Sequence, residues 1–193
     1  MNSIKLIEDL SNANGISGFE DEVLAVVRAR AEKKLKIEED SMRNLYLYPQ
    51  NFDPQKPILM LDSHSDEVGF MVKSINKNGS LKFITVGGWS PQNIPAHKLR
   101  IKNREGKYIK GVVASRPPHF MEADEKDQLV KVSEMIIDIG ATSKREAVES
   151  YKIEVGAPII PDVEFEYDEA NQIMMGKAFD LSLIHISEPT RPY

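Results

Sequence analysis

The stretch Ile58-Leu-Met-Leu-Asp-Ser-His-Ser-Asp-Glu-Val-Gly-Phe-Met-Val72 decides how this chain is read. Four apolar residues run into His64, with carboxylates at Asp62, Asp66 and Glu67, and the chain turns apolar again at Val68. A short continuous apolar run is the pattern of a strand covered on both faces. It predicts a buried strand over Ile58–Leu61 whose carboxyl end carries the polar cluster. In an open α/β sheet, ligands bind beyond such strand ends. An imidazole placed there can hold zinc through one ring nitrogen while a carboxylate two residues on orients it through the other. His64 and Asp66 have that spacing. The same tripeptide also reads as a strand cap with solvated acids, and the spacing alone leaves both readings open.

On the N-terminal side, Ile4, Ile7 and Leu10 recur at helical spacing, and Asn14-Gly15 ends that helix. Ser17 and Glu20 have capping-box spacing and predict the start of a second helix with an apolar face of Val23, Val26, Val27, Ala31 and Leu35. Lys36–Asp40 and Leu45–Tyr48 then read as strands around Met42-Arg43-Asn44, and Asn51–Pro57 as a loop. Beyond Val68 the text is almost wholly β. Strands are predicted over Gly69–Ile75, Leu81–Val86, Leu99–Lys102, Tyr108–Ala114, Met135–Ile139, Val163–Tyr167 and Ile173–Met175, separated by Gly- and Pro-rich turn signals. One short helix interrupts them, with Ser143 as its cap and Glu146 three residues on. This order suggests an α/β domain carrying a β-rich insertion.

Composition narrows the function classes. With 193 residues the chain can bury a real core in one or two domains. A net charge of -5 and no basic stripe argue against nucleic acid, whose phosphates demand clustered Lys and Arg. The absence of cysteine excludes disulfides and thiolate metal sites. No apolar run approaches the ~20 residues of a membrane span, and Met1–Gly15 lacks a signal-peptide core. The expectation is a soluble cytoplasmic protein with no membrane partner.

Among other polar candidates, Asp180 follows Gly176-Lys-Ala-Phe179 where an apolar element stops; taken alone it reads as a cap or turn residue, with a bridging carboxylate as the minority reading. His97 and His119 sit in proline-fixed turns and read as packing residues, and Trp89, after Gly87-Gly88, as a turn anchor. There is no Gly-x-Ser-x-Gly elbow and no phosphate-cradling glycine loop.

Together these motifs are more specific than any one of them. Gly15-Ile-Ser-Gly-Phe-Glu20, Arg43-Asn-Leu45, Asp62-Ser-His-Ser-Asp-Glu-Val-Gly69, Gly87-Gly-Trp89 and Pro95-Ala-His97 stand in order. Gly111-Val-Val-Ala-Ser-Arg-Pro-Pro-His119, Asp138-Ile-Gly-Ala141, Gly156-Ala-Pro158 and Gly176-Lys-Ala-Phe-Asp180 continue the series. In this series the chain closely resembles the N-terminal half of the glutamyl aminopeptidase and tetrahedral aminopeptidase family. These are cytoplasmic dinuclear metallopeptidases, some of which carry an endoglucanase label.

The resemblance implies an α/β, phosphorylase/peptidorylase-like zinc-peptidase catalytic domain, cut short, with an inserted β-rich dimerisation domain. Residues 1–68 and 163–180 would belong to the catalytic domain and 69–162 to the insertion, the building contact of homo-oligomers from dimers to tetrahedral dodecamers. His64 would ligate one metal, Asp66 would orient its ring, and Asp180 would bridge two divalent ions, zinc or cobalt. The reaction would remove the N-terminal residue of a peptide substrate. After Asp180 the likeness stops. The segment Leu181–Tyr193, with Pro189 and Pro192, has no helical face and reads as a non-native tail, so His185 and Glu188 are not recruited as ligands. The family's general base, two further acidic ligands and a last histidine find no counterpart here, which predicts an inactive chain. Two rivals stand beside this reading: an oligomerisation or regulatory fragment without catalysis, and a glycan hydrolase, which would need paired carboxylates across a sugar site.

Overall fold

Ile4, Ile7 and Leu10 do form a helix, α1 (Ser3–Asn12), in a computed structural model that describes residues 3–114 and 130–179. The second helix, α2 (Asp21–Ala31), carries Asp21 and Glu22 in its first turn and Arg28 and Arg30 in its last, the order that complements the helix dipole. Strands β1 (Leu35–Glu39) and β2 (Leu45–Pro49) pair antiparallel, from Leu35↔Pro49 to Glu39↔Leu45. Asp40 shapes the turn between them, accepting from the Met42 and Asn44 amides at 2.9 and 3.0 Å and from Asn44 Nδ2 at 2.8 Å.

The chain divides into two units: Glu67–Val163 forms one, and the segments before and after it form the other. The Glu67–Val163 unit holds β3 (Gly69–Ile75), β4 (Leu81–Val86), β5 (Lys98–Lys102), β6 (Tyr108–Ala114), β7 (Ile136–Asp138), helix α3 (Lys144–Glu149) and β8 (Pro158–Pro161). The β-rich block is a closed antiparallel barrel, in the order β3-β4-β7-β6-β5-β8 and back to β3. Alternation explains the closure. Phe70 and Val72 of β3, Leu81 and Phe83 of β4, and Leu99 and Ile101 of β5 point inward, each nearly or wholly buried. Ile137 and Ile159 complete the interior. Each such side chain contributes about 1.5–3 kcal/mol of transfer free energy. Closure pairs each described barrel strand on both sides.

Strand β8 was not among the expected strands. Prolines at both ends hide it, yet Pro158 and Pro161 sit at strand termini where a missing amide is tolerated. The helix start at Ser143 is as expected: its Oγ accepts from the Glu146 amide at 3.2 Å. Glu146 reaches one residue further back, accepting from the Thr142 amide and hydroxyl, both at 2.8 Å. Trp89 is the anchor the sequence suggested. Its Nε1–H donates to the Gly69 carbonyl at 3.0 Å, and its ring stacks on Phe70 with centroids 4.5 Å apart. His97 packs edge-on to Trp89 at 5.7 Å, consistent with a packing role. His119 lies outside the described residues.

In the other unit, β9 (Glu166–Asp168) and β10 (Ile173–Met175) form a second antiparallel pair, in place of the longer Val163–Tyr167 strand expected first. The buried strand predicted over Ile58–Leu61 is not there. These residues belong to no sheet, and Leu59 and Leu61 are 85% and 83% exposed. The reason is the absence of partners: among the described residues the unit's sheets are only the pairs β1–β2 and β9–β10, and neither takes a third strand. The same unit carries an apolar groove of about 320 Å³, lined by Leu6, Leu10, Val27, Ala31, Leu35 and Leu47.

Candidate functional site

The His64–Asp66 pairing follows from two-residue spacing on an extended segment. Asp66 Oδ1 lies 2.9 Å from His64 Nδ1, and the main-chain oxygen of Asp66 lies 3.0 Å from the same nitrogen. Both oxygens can only accept hydrogen bonds, so in the neutral ring Nδ1 carries the proton and Nε2 the lone pair. That is the tautomer in which a histidine can ligate through Nε2.

The other oxygen of Asp66, Oδ2, is held too: the Ser17 hydroxyl donates to it. Ser17 sits in a turn that the sequence presets. Ile16 is wholly buried and anchors the turn, the Phe19 amide donates to the Ile16 carbonyl at 2.8 Å, and Gly18 stands at φ +87, where a side chain is rarely tolerated. Gly15 permits close approach. A Cβ there would lie 2.7 Å from Val23 Cγ2 and 3.5 Å from the Ser65 carbonyl oxygen.

This arrangement corrects the capping-box expectation. The N-cap of α2 is Glu20, without a side-chain cap bond, and Glu20 Oε1 instead accepts from the Gly18 amide at 2.7 Å. Ser17 is thus tied to the imidazole cluster rather than to the helix. Its hydroxyl partner lies 49 residues away, so local spacing could not reveal it.

The segment leading to Asp180 is fixed to the same α1–α2 connection. Lys177 is buried; its Nζ donates to the Ala13 carbonyl at 2.5 Å, and its own carbonyl accepts from Ser11 Oγ at 2.9 Å. Gly176 is required by this contact, since a Cβ would fall 2.4 Å from Ser11 Oγ. Ala178 is held at φ 64, a conformation uncommon for a residue with a side chain. Asp180 itself, and His185 and Glu188, lie outside the described residues. Of the other acids in the opening cluster, Asp62 is exposed and Glu67 is buried. Among the described residues no three His, Cys, Asp or Glu side chains converge as a metal-binding set. Among the described residues the structure therefore provides one oriented imidazole at His64 and a segment ending at Phe179 that Lys177 ties to Ser11 and Ala13.

Comparisons with known proteins agree on one family. Residues 44–182 match the model of the M42 glutamyl aminopeptidase family. The chain is 37% identical to the TET aminopeptidase of a marine sediment archaeon, Thaumarchaeota archaeon SCGC AB-539-E09, with a TM-score of 0.85 over 92% of this chain and 49% of that one. It is 35% identical over 179 residues to FrvX of Escherichia coli K12, which bears an aminopeptidase name, covering 92% of this chain and 49% of the relative. The glutamyl aminopeptidase of Lactococcus lactis is 30% identical over 176 residues, 90% of this chain and 49% of its own. The chain belongs to the M42 glutamyl aminopeptidase family. It spans about half the length of the curated relatives it matches.

Proposed function

We propose that this chain is the N-terminal part of a dinuclear metal-dependent aminopeptidase that removes N-terminal residues from peptides. The observation carrying the proposal is the approach of two Asp66 oxygens to His64 Nδ1, at 2.9 and 3.0 Å, which leaves the lone pair of the neutral ring on Nε2. In this reading His64 would hold one divalent ion, zinc or cobalt, Asp66 would fix the imidazole's tautomer and orientation, and Asp180 would supply the carboxylate shared with a second ion. When bound, such metals supply an activated water and stabilise the oxyanion of the tetrahedral intermediate. The donor set fits in kind: a neutral, oriented imidazole and a carboxylate are ordinary ligands for zinc. In number it falls short, because a dinuclear site needs about three protein ligands per ion.

The role of the Glu67–Val163 barrel as a dimerisation domain, with the segments around it as the catalytic domain, belongs to the same proposal. So do homo-oligomeric assembly and a cytoplasmic location; no helix among the described residues is long and apolar enough to cross a membrane.

The decisive assay compares this chain with a version extended to the relatives' full length. Both are given zinc or cobalt and chromogenic leucyl and glutamyl anilides. The extended protein should turn these over and lose activity in His64→Ala and in Asp180→Ala. The 193-residue chain should show no turnover, because the general base alone contributes about 100- to 10,000-fold. Glucan hydrolysis by the extended protein, with no anilide turnover, would overturn the proposal.

A further inference from the structure

We propose that Ser17 is a positioning residue for the metal site: it clamps the Asp66 carboxylate so that the opposite oxygen meets His64 Nδ1. This rests on the reading of His64 as a metal ligand and adds to it an outer layer drawn from a distant loop. A carboxylate holding an imidazole through one oxygen can still rotate about its own side-chain torsions. Hydrogen bonding to the second oxygen removes that freedom. Ser17 donates to Asp66 Oδ2 while Asp66 Oδ1 stands 2.9 Å from His64 Nδ1, so the three side chains form a directed chain.

Among the described residues the Ser17 hydroxyl bonds to Asp66 alone. The N-cap position of α2 belongs to Glu20, not Ser17, so the Ser17 side chain is not required to start the helix. Its backbone is set independently of the hydroxyl, by buried Ile16, the Phe19-to-Ile16 hydrogen bond and Gly18 at φ +87. The loop is therefore rigid before it meets Asp66, as an orienting group should be. Replacing Ser17 by Ala keeps the turn and removes only the clamp.

The test uses the chain extended to the relatives' full length and two readouts that a purely structural role would not move together. Nitrogen-15 NMR of the His64 imidazole gives the fraction of the Nδ1–H tautomer in the metal-free protein. Cobalt titration followed by visible absorption gives the affinity. Wild type should be almost wholly Nδ1–H. Ser17→Ala should shift the ring only part of the way toward the mixture seen in Asp66→Ala, because the Asp66 carboxylate, though no longer clamped, is still present to face Nδ1. It should also weaken cobalt binding by about 10-fold, the low end of what losing an outer partner costs. Ser17→Thr, which keeps the hydroxyl, should restore both. An unchanged tautomer fraction and unchanged cobalt affinity in a folded Ser17→Ala protein would overturn the proposal. Failure of the metal reading has a different signature: cobalt affinity unaffected by His64→Ala, with the tautomer shift on Ser17→Ala intact.

Discussion

Ile58-Leu-Met-Leu61 and Pro158-Ile-Ile-Pro161 are both four-residue apolar runs, and judged locally the first is much the better strand. The second has a proline at each end, the residue least suited to a sheet. Yet Pro158–Pro161 is buried throughout and paired on both sides, Phe70↔Ile159 with β3 and Leu99↔Pro161 with β5. Ile58–Leu61 is exposed and belongs to no sheet. Strand formation here is decided by the neighbours available, not by propensity. The barrel supplies its own partners in a ring, whereas the unit holding His64 leaves its most apolar segment uncovered. This makes β propensity a statement about fit to a half-built surface.

The largest effect should come from cutting into each run in turn. Ile159→Ala opens a void among Phe70, Leu99 and Ile101 and should cost about 2–5 kcal/mol. Leu59→Ala removes a side chain that is 85% exposed and should stay within ~0.5 kcal/mol. The chain has a single tryptophan, Trp89, stacked on Phe70, so its fluorescence in a urea titration reports barrel unfolding directly. Equal shifts from the two substitutions would erase the contrast.

A smaller effect concerns what the uncovered run does in solution. Exposed contiguous apolar surface favours association, and Leu59 and Leu61 are the most exposed of the four residues. The wild-type chain should therefore self-associate at micromolar concentration. The double substitution Leu59→Lys, Leu61→Lys should lower the mean mass in sedimentation velocity, with the Trp89 unfolding midpoint unchanged. A wild-type chain that sediments as a compact monomer over that range contradicts this.

The same contrast explains what the sequence revealed. The strand runs β3, β4 and β6 were legible, with observed bounds equal to the expected ones, because Gly- and Pro-bearing turn signals separate them. The Ser143 cap was legible since its partner Glu146 is three residues away. At the site, His64 and Asp66 were found by their two-residue spacing. Ser17 was misread and Lys177 passed over, because both act on groups more than forty residues distant. No local pattern encodes such pairings. The barrel topology was equally hidden: β7 joins β4 and β6, and β8 closes onto β3 and β5, through long-range registers only.

The smallest expected effect sharpens the comparison at acid pH, since each unit carries a turn carboxylate with a lowered pKa. In the barrel unit, hydrogen bonds from the Thr142 amide and then its hydroxyl hold the Glu146 carboxyl below its ordinary value. In the other unit, the Asn44 side chain and amide do the same for Asp40. A carboxyl whose folded pKa lies below its unfolded one contributes stability above the unfolded value, and that contribution is lost as pH falls through the folded one. Both residues are partly exposed, so solvent screening keeps each contribution small. Trp89 reports only the barrel, which separates the two turns. Glu146→Gln should lower the Trp89 urea midpoint slightly at neutral pH and flatten its decline through the carboxylate range. Asp40→Asn should leave that curve unchanged while lowering the midpoint of far-ultraviolet circular dichroism over the same range. If Asp40→Asn moved the Trp89 curve as much as Glu146→Gln, the two units would unfold as one, and the contrast between a self-completed barrel and an uncovered partner would not extend to their stability.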